Sequence, residues 1–177
     1  MVATAQNTMP QTMTLEEYLS LSFPDSEREP EFVRDHLEEK PMPDDTHSAI
    51  QFRLARLLGN ASERLGREIH GRPERRVRLK NSVRVPDLLI YSDCPGPSLV
   101  TAPPLAVFEI LSPGEDFAGL AGKLSEYLEW GAQYVFAIEP RGGLLHRFGR
   151  KGFEGIDVIE IPELDFQATI NDLLPRA

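Results

Sequence analysis

The 177-residue sequence has one cysteine, Cys94, so no intrachain disulfide can form and the core alone must hold the fold. That usage suits a reducing compartment, and a cytoplasmic location is expected. No apolar run approaches the roughly 20 residues that a membrane helix needs. The opening MVATAQNTMPQ is polar and lacks the apolar centre of a secretory signal. Residues 1–13 are expected to form a flexible tail. No glycine-rich phosphate loop of the P-loop or Rossmann kind is present. Ser112, in LSPG, resembles no nucleophile elbow, and His36, His70 and His146 lack zinc-like spacing. Positive charge is scarce: 19 Lys and Arg stand against 28 Asp and Glu, for a net charge of -9. That balance argues against a strong general nucleic-acid binder.

What is present fits one globular domain over residues 14–177, with 41% hydrophobic and 27% charged residues. Thr14 and Glu17 have capping-box spacing ahead of a short helix. The segment from Glu31 to Lys40 reads as a strand or hairpin, and PMPDD breaks the chain after it. A long helix follows, capped by Asp45 or Thr46, with Ile50, Leu54, Leu57, Leu58, Ala61 and Leu65 at helical spacing and Gly66 as its stop. RVRLK, residues 76–80, alternates as a strand. VRVPDLLIY reads as a second strand in which Pro86 marks a bulge or an edge. LAVFEIL, residues 105–111, is apolar on both faces apart from Glu109, the pattern of a strand buried on both sides. Asp116 opens a second helix, with Leu120, Leu124, Tyr127 and Leu128 inward, and Gly131 ends it before the buried strand YVFAI. A helix between two buried strands implies a parallel crossover, and the paired strands before it imply an antiparallel part. The fold class is therefore α/β (α+β), a mixed sheet flanked by helices.

Three residues carry the chemistry. Glu109 sits where both strand faces should be dry, and an unpaired carboxylate there costs several kcal/mol, so either a metal ion or a cationic partner compensates or the residue lies at the strand end, hydrogen-bonded and half wet. Asp87 ends a strand-like run and directly follows Pro86, where it could simply accept turn hydrogen bonds, but two carboxylates on neighbouring strands can converge on one divalent cation of the magnesium kind. Lys123 borders the stripe of its helix that faces the sheet, where it either snorkels to the surface or reaches the carboxylate pair with its ammonium. A basic window from Arg64 to Arg84 sets eight Lys and Arg against Glu68 and Glu74, and such a strip can touch phosphates.

TLEEYL, EFVRDHLEEK, His47, RVPDLLIYSD, FEILSP, KLSEYLEWGAQYVFAIEP and IPELDF, in this order, resemble the Uma-two family of the PD-(D/E)XK nuclease superfamily, a family described as restriction endonucleases. The resemblance runs from Thr14 through nearly the whole chain. It implies a restriction-endonuclease-like mixed β-sheet core with an N-terminal helix and hairpin. It implies Mg2+ or Mn2+ held by Asp87, Glu109 and the backbone carbonyl of Ile110, with Lys123 assisting attack by water. Glu31 matches an acidic hairpin residue that helps complete the site. The superfamily lysine two residues after the glutamate is replaced by Leu111, and the family's Asp-Gly turn is replaced by Arg34-Asp35. The implied function is hydrolysis of DNA phosphodiester bonds by a homodimer, the dimer resting on analogy with nucleases that cut two strands. The alternative is a catalytically inactive nuclease-fold protein with a binding or accessory role, favoured by the acidic charge and by Leu111.

Overall fold

The computed structural model describes residues 12–22, 29–96 and 101–175. Helix α1 (Leu15–Ser20) carries the full capping box: Thr14 accepts from the Glu17 N–H while Glu17 accepts from the Thr14 N–H. The expected tail boundary moves back, because Met13 is buried and its N–H donates to Asp35 O at 2.9 Å. Thr12 is exposed, and residues 1–11 of the expected tail lie outside the described residues.

Strands β1 (Glu31–Val33) and β2 (His36–Glu38) form the predicted hairpin, closed by the pair Val33 and His36. Its two turn residues, Arg34 and Asp35, have φ of 49° and 65°. This is the left-handed geometry that Asn-Gly and Asp-Gly normally supply, so the hairpin closes on Arg34 and Asp35 at a local steric cost. Arg34→Asn with Asp35→Gly is expected to relieve that cost and stabilise the chain by about 1 kcal/mol, a rise in Tm of roughly 2–4 °C. An unchanged or lower Tm in calorimetry would show that the turn stores no strain.

Helix α2 (Asp45–Leu65) buries Ile50, Leu54, Leu58 and Ala61, while Leu65 is exposed. Its cap is Asp44, whose carboxylate accepts from the His47 N–H at 2.8 Å, and neither Asp45 nor Thr46 takes that role. Strands β3 (His70–Pro73), β4 (Val77–Arg78), β5 (Ser82–Arg84) and β6 (Leu88–Tyr91) follow. VRVPDLLIY is not one bulged strand: the chain leaves β5 in one sheet and enters β6 in another, with Val85, Pro86 and Asp87 at the crossing. Pro86 lacks an N–H and so fits a step between ladders.

Strand β7 (Ala106–Ile110), helix α3 (Phe117–Trp130) and strand β8 (Tyr134–Glu139) form the predicted crossover, with β7 and β8 parallel. Strands β9 (Leu144–Gly149), β10 (Gly152–Ile156), β11 (Val158–Ile161) and β12 (Phe166–Thr169) and helix α4 (Ile170–Leu173) close the described chain. The small sheet runs β2-β1-β5-β4 and the large one β10-β9-β8-β7-β6-β3, with a separate β11-β12 pair. Alternation along β7 sends Phe108 and Ile110 to the core beneath α2, and Val107 to the core beneath α3. Glu109 has the parity of Val107, which delivers its carboxylate to α3.

Candidate active site

On α3, Lys123 and Tyr127 are one turn apart and share a face. Both reach Glu109. Lys123 Nζ lies 2.9 Å from Oε1 and 3.0 Å from Oε2, and the Tyr127 hydroxyl donates to Oε1 at 2.7 Å. The same ammonium lies 3.0 Å from Glu31 Oε1. Glu31 also accepts from the Val85 N–H at 2.8 Å and from Arg84 Nη1 at 2.9 Å. Arg84 continues to Glu126, with Nη2 2.6 Å from Oε1 and Nε 3.1 Å from Oε2. Asp87, at 1% exposure, accepts from the Ile110 N–H through Oδ2 at 2.7 Å and from Lys40 through Oδ1 at 2.9 Å. The backbone of Ile110 thus ties Asp87 to the strand that carries Glu109. The structure gathers Asp87, Glu109, Lys123 and Glu31 in one array of buried carboxylates and cations.

Protonation follows from burial set against these partners. Burial raises the Glu109 carboxyl, Lys123 opposes this and neighbouring Asp87 adds to it, so Glu109 is pushed up to about 7. Burial would also raise Asp87, but Lys40 and then His47 outweigh it and hold the group well below the usual carboxylate range. Burial likewise opposes ionised Glu31, yet Lys123 and Arg84 keep it below its ordinary value. Lys123 is held above its ordinary value, because Glu109 and Glu31 overcome the cost of burying an ammonium. Tyr127, raised by burial and then by Glu109, remains a donor.

Two opposite pH dependences follow. Asp87 and Glu31 stabilise the fold above their unfolded values near 4, and this is lost as pH falls below them. Glu109, raised from 4.5 to about 7, costs stability as pH climbs through that interval, by up to about 3 kcal/mol. In chelator, the Tm is expected to be higher at pH 5 than at pH 8. A Tm that is flat or rises over that range would mean that Glu109 ionises without penalty.

A cleft of about 630 Å3 lies above the array, lined by Glu31, Lys40, Arg84, Lys123 and Glu126 among others. A second of about 730 Å3 shares Val33, Arg34, Glu126 and Glu129 with it and adds Arg78, Lys80 and Trp130 among others. The basic window of the sequence does not form one strip. Arg64 and Arg67 donate to the carbonyls of Asp165 and Glu163, Arg76 pairs with Glu29, and Arg84 is buried. His146 packs edge-on against Phe117, and Trp130 donates to Thr101 O at 2.9 Å.

Sequence reading missed Lys40 and the internal role of Arg84. Lys40 follows two glutamates in a polar stretch, and nothing there separates it from a solvated lysine. Arg84 did carry a signal, since an arginine between Val83 and Val85 in an apolar run demands buried counter-charges.

The Uma2 (Uma-two) family profile, described as "Putative restriction endonuclease", matches residues 15–175. The chain belongs to the Uma2 family. Among solved structures, the Uma2 chain is similar to one titled a "putative nuclease belonging to DUF820" from Anabaena variabilis ATCC 29413. The TM-score is 0.79 at 24% identity, over 91% of this chain and 97% of that one. The two proteins share a fold. No curated protein matches the Uma2 chain. Among the described residues, no helix is long and apolar enough to cross a membrane.

Proposed function

We propose that the chain is a divalent-metal-dependent endonuclease acting on DNA phosphodiester bonds. The observation that carries the reading is the buried pair Asp87 and Glu109, joined through the Ile110 N–H and faced by the Lys123 ammonium. The donor set fits magnesium or manganese. It offers hard carboxylate oxygens, and burial, which pushes Glu109 up to about 7, opposes its ionisation unless a further cation compensates. Asp87 and Glu109, with the Ile110 carbonyl, would hold the ion. When bound, it supplies Lewis-acid activation of a phosphoryl oxygen and of water.

The side chains divide the remaining work. Tyr127 and Lys123 fix the Glu109 carboxylate from two directions. Lys123, charged throughout the neutral range, orients the attacking water or steadies charge developing on the phosphate. Glu31 holds that ammonium in place, and Arg84 holds Glu31. Arg34, Arg78 and Lys80 on the adjoining cleft offer phosphate contacts leading away from the centre. Cutting two strands needs two such centres, so a homodimer is part of the reading, to be checked by light scattering.

The test is incubation of plasmid with the purified protein in Mg2+, Mn2+ or chelator. Nicking or linearisation only with metal, lost in Lys123→Met, is expected. A second reading is favoured by the acidic residues of the first cleft, which include Glu38, Glu39, Glu115, Asp116 and Glu129. In that reading the fold is kept as a non-cleaving binding module. Metal binding that Asp87→Ala abolishes, with no cleavage of any DNA by the unmodified protein, would favour it.

A further inference from the structure

Lys40 fills a nest shaped for a small cation. Its Nζ lies 2.9 Å from Asp87 Oδ1, 3.1 Å from Glu74 Oε2 and 2.5 Å from the Val85 carbonyl, so all three N–H donors are used. Gln51 braces the same group, donating to Asp87 O at 2.6 Å and to Glu74 Oε1 at 3.4 Å.

His47 forms the remaining wall. It is 1% exposed, and its Nδ1 lies 3.2 Å from Ser112 Oγ. Its Nε2 stands 3.5 Å from Asp87 Oδ1 and makes no hydrogen bond among the described residues. A buried imidazole nitrogen whose nearest acceptor stands off at 3.5 Å is poorly satisfied, so its place beside two carboxylates needs a reason. One ligand atom each from His47, Glu74 and Asp87 lies within 4.8 Å of the others. Two oxygens on opposite sides of one small divalent ion are separated by about 4.2 Å. The ammonium satisfies the oxygens but has no fourth donor for the imidazole. A divalent ion would use all three side chains.

We propose that His47, Glu74 and Asp87 form a second cation site whose occupant in the native chain is the Lys40 ammonium. Lys40 supplies, as a tethered charge, what a second divalent ion would otherwise bring. The mixed nitrogen and oxygen set suits Mn2+ or Zn2+ better than Mg2+. Removing the lysine charge opens the site to such an ion, with His47 as its nitrogen ligand. The site shares Asp87 with the centre proposed above, but Glu109 and Lys123 take no part in it, so it stands even if that centre binds nothing.

Mn2+ binding to the full chain, stripped with chelator and dialysed, tests the inference by calorimetry and by the electron-spin signal of free Mn2+. Lys40→Met is expected to bind one more Mn2+ per chain than the unmodified protein. Lys40→Met with His47→Ala is expected to lose that added ion or bind it at least tenfold more weakly. Equal stoichiometry in Lys40→Met and the unmodified chain overturns the proposal, as does an added ion indifferent to His47→Ala. Lys40→Gln, which keeps a donor for the Val85 carbonyl without the charge, carries the same expectation should the methionine variant fail to fold. Failure of the nuclease reading would appear separately, as an unmodified chain that binds no Mn2+ while the Lys40 variant still gains one.

Discussion

Asp87→Asn is expected to abolish metal-dependent DNA cleavage, with a fall of about 10³-fold or more, and to remove the thermal shift produced by Mg2+ or Mn2+. The two oxygens of Asp87 are already committed, Oδ2 to the Ile110 N–H and Oδ1 to Lys40. Asparagine can keep the first of these contacts. Its amide then faces Lys40 with a donor instead of a charged acceptor, and the variant should lose about 2 kcal/mol without unfolding. Cleavage and stability therefore separate: a folded, less stable protein with no metal response is the expected product. Retained cleavage in folded Asp87→Asn would remove this residue from the chemistry.

The largest effect on stability is expected at Arg84. Arg84 is 5% exposed, and its guanidinium serves Glu31, Glu126 and Glu38 together. Burial opposes its charge, and hydrogen bonding to Glu126 followed by the field of Glu31 restores it, so the arginine is held above even its own ordinary value. Arg84→Met leaves the nearly buried Glu31 with Lys123 and one backbone N–H. Breaking a buried pair from one side costs about 3–5 kcal/mol, a fall in Tm of roughly 10 °C for a chain of this size. Adding Glu31→Gln to that variant should recover part of the loss, because the stranded charge is withdrawn. Additive losses in the double variant would mean that Arg84 and Glu31 do not depend on each other.

The elements with strong local patterns were legible in the sequence. Helix α2 and helix α3 each had an apolar stripe and a glycine stop, and Gly66 and Gly131 both take left-handed C-cap geometry. The parallel pairing of β7 with β8 followed from the helix between two apolar strands. The helical wheel placed Lys123 beside the sheet-facing stripe and the family resemblance singled it out, while its contact with Glu109 is seen only in the fold. The crossing at Val85–Asp87 was hidden, because the apolar residues on either side of Pro86 belong to different sheets and no local signal marks the change. Lys40 was hidden for a related reason. Its partners Glu74, Val85 and Asp87 come from a distant stretch of chain, and only the tertiary fold brings them to its ammonium. The cap of α2 was misplaced by one or two residues, as DD offers adjacent carboxylates and only Asp44 meets the His47 N–H.

The most direct test of the account is a crystal of the unmodified protein soaked in Mn2+ and measured at an anomalous wavelength. The expected result is one anomalous peak between Asp87 and Glu109, at about 2.1–2.2 Å from a carboxylate oxygen of each. A crystal without a peak there, with Glu109 still bonded only to Lys123 and Tyr127 at saturating Mn2+, would contradict it.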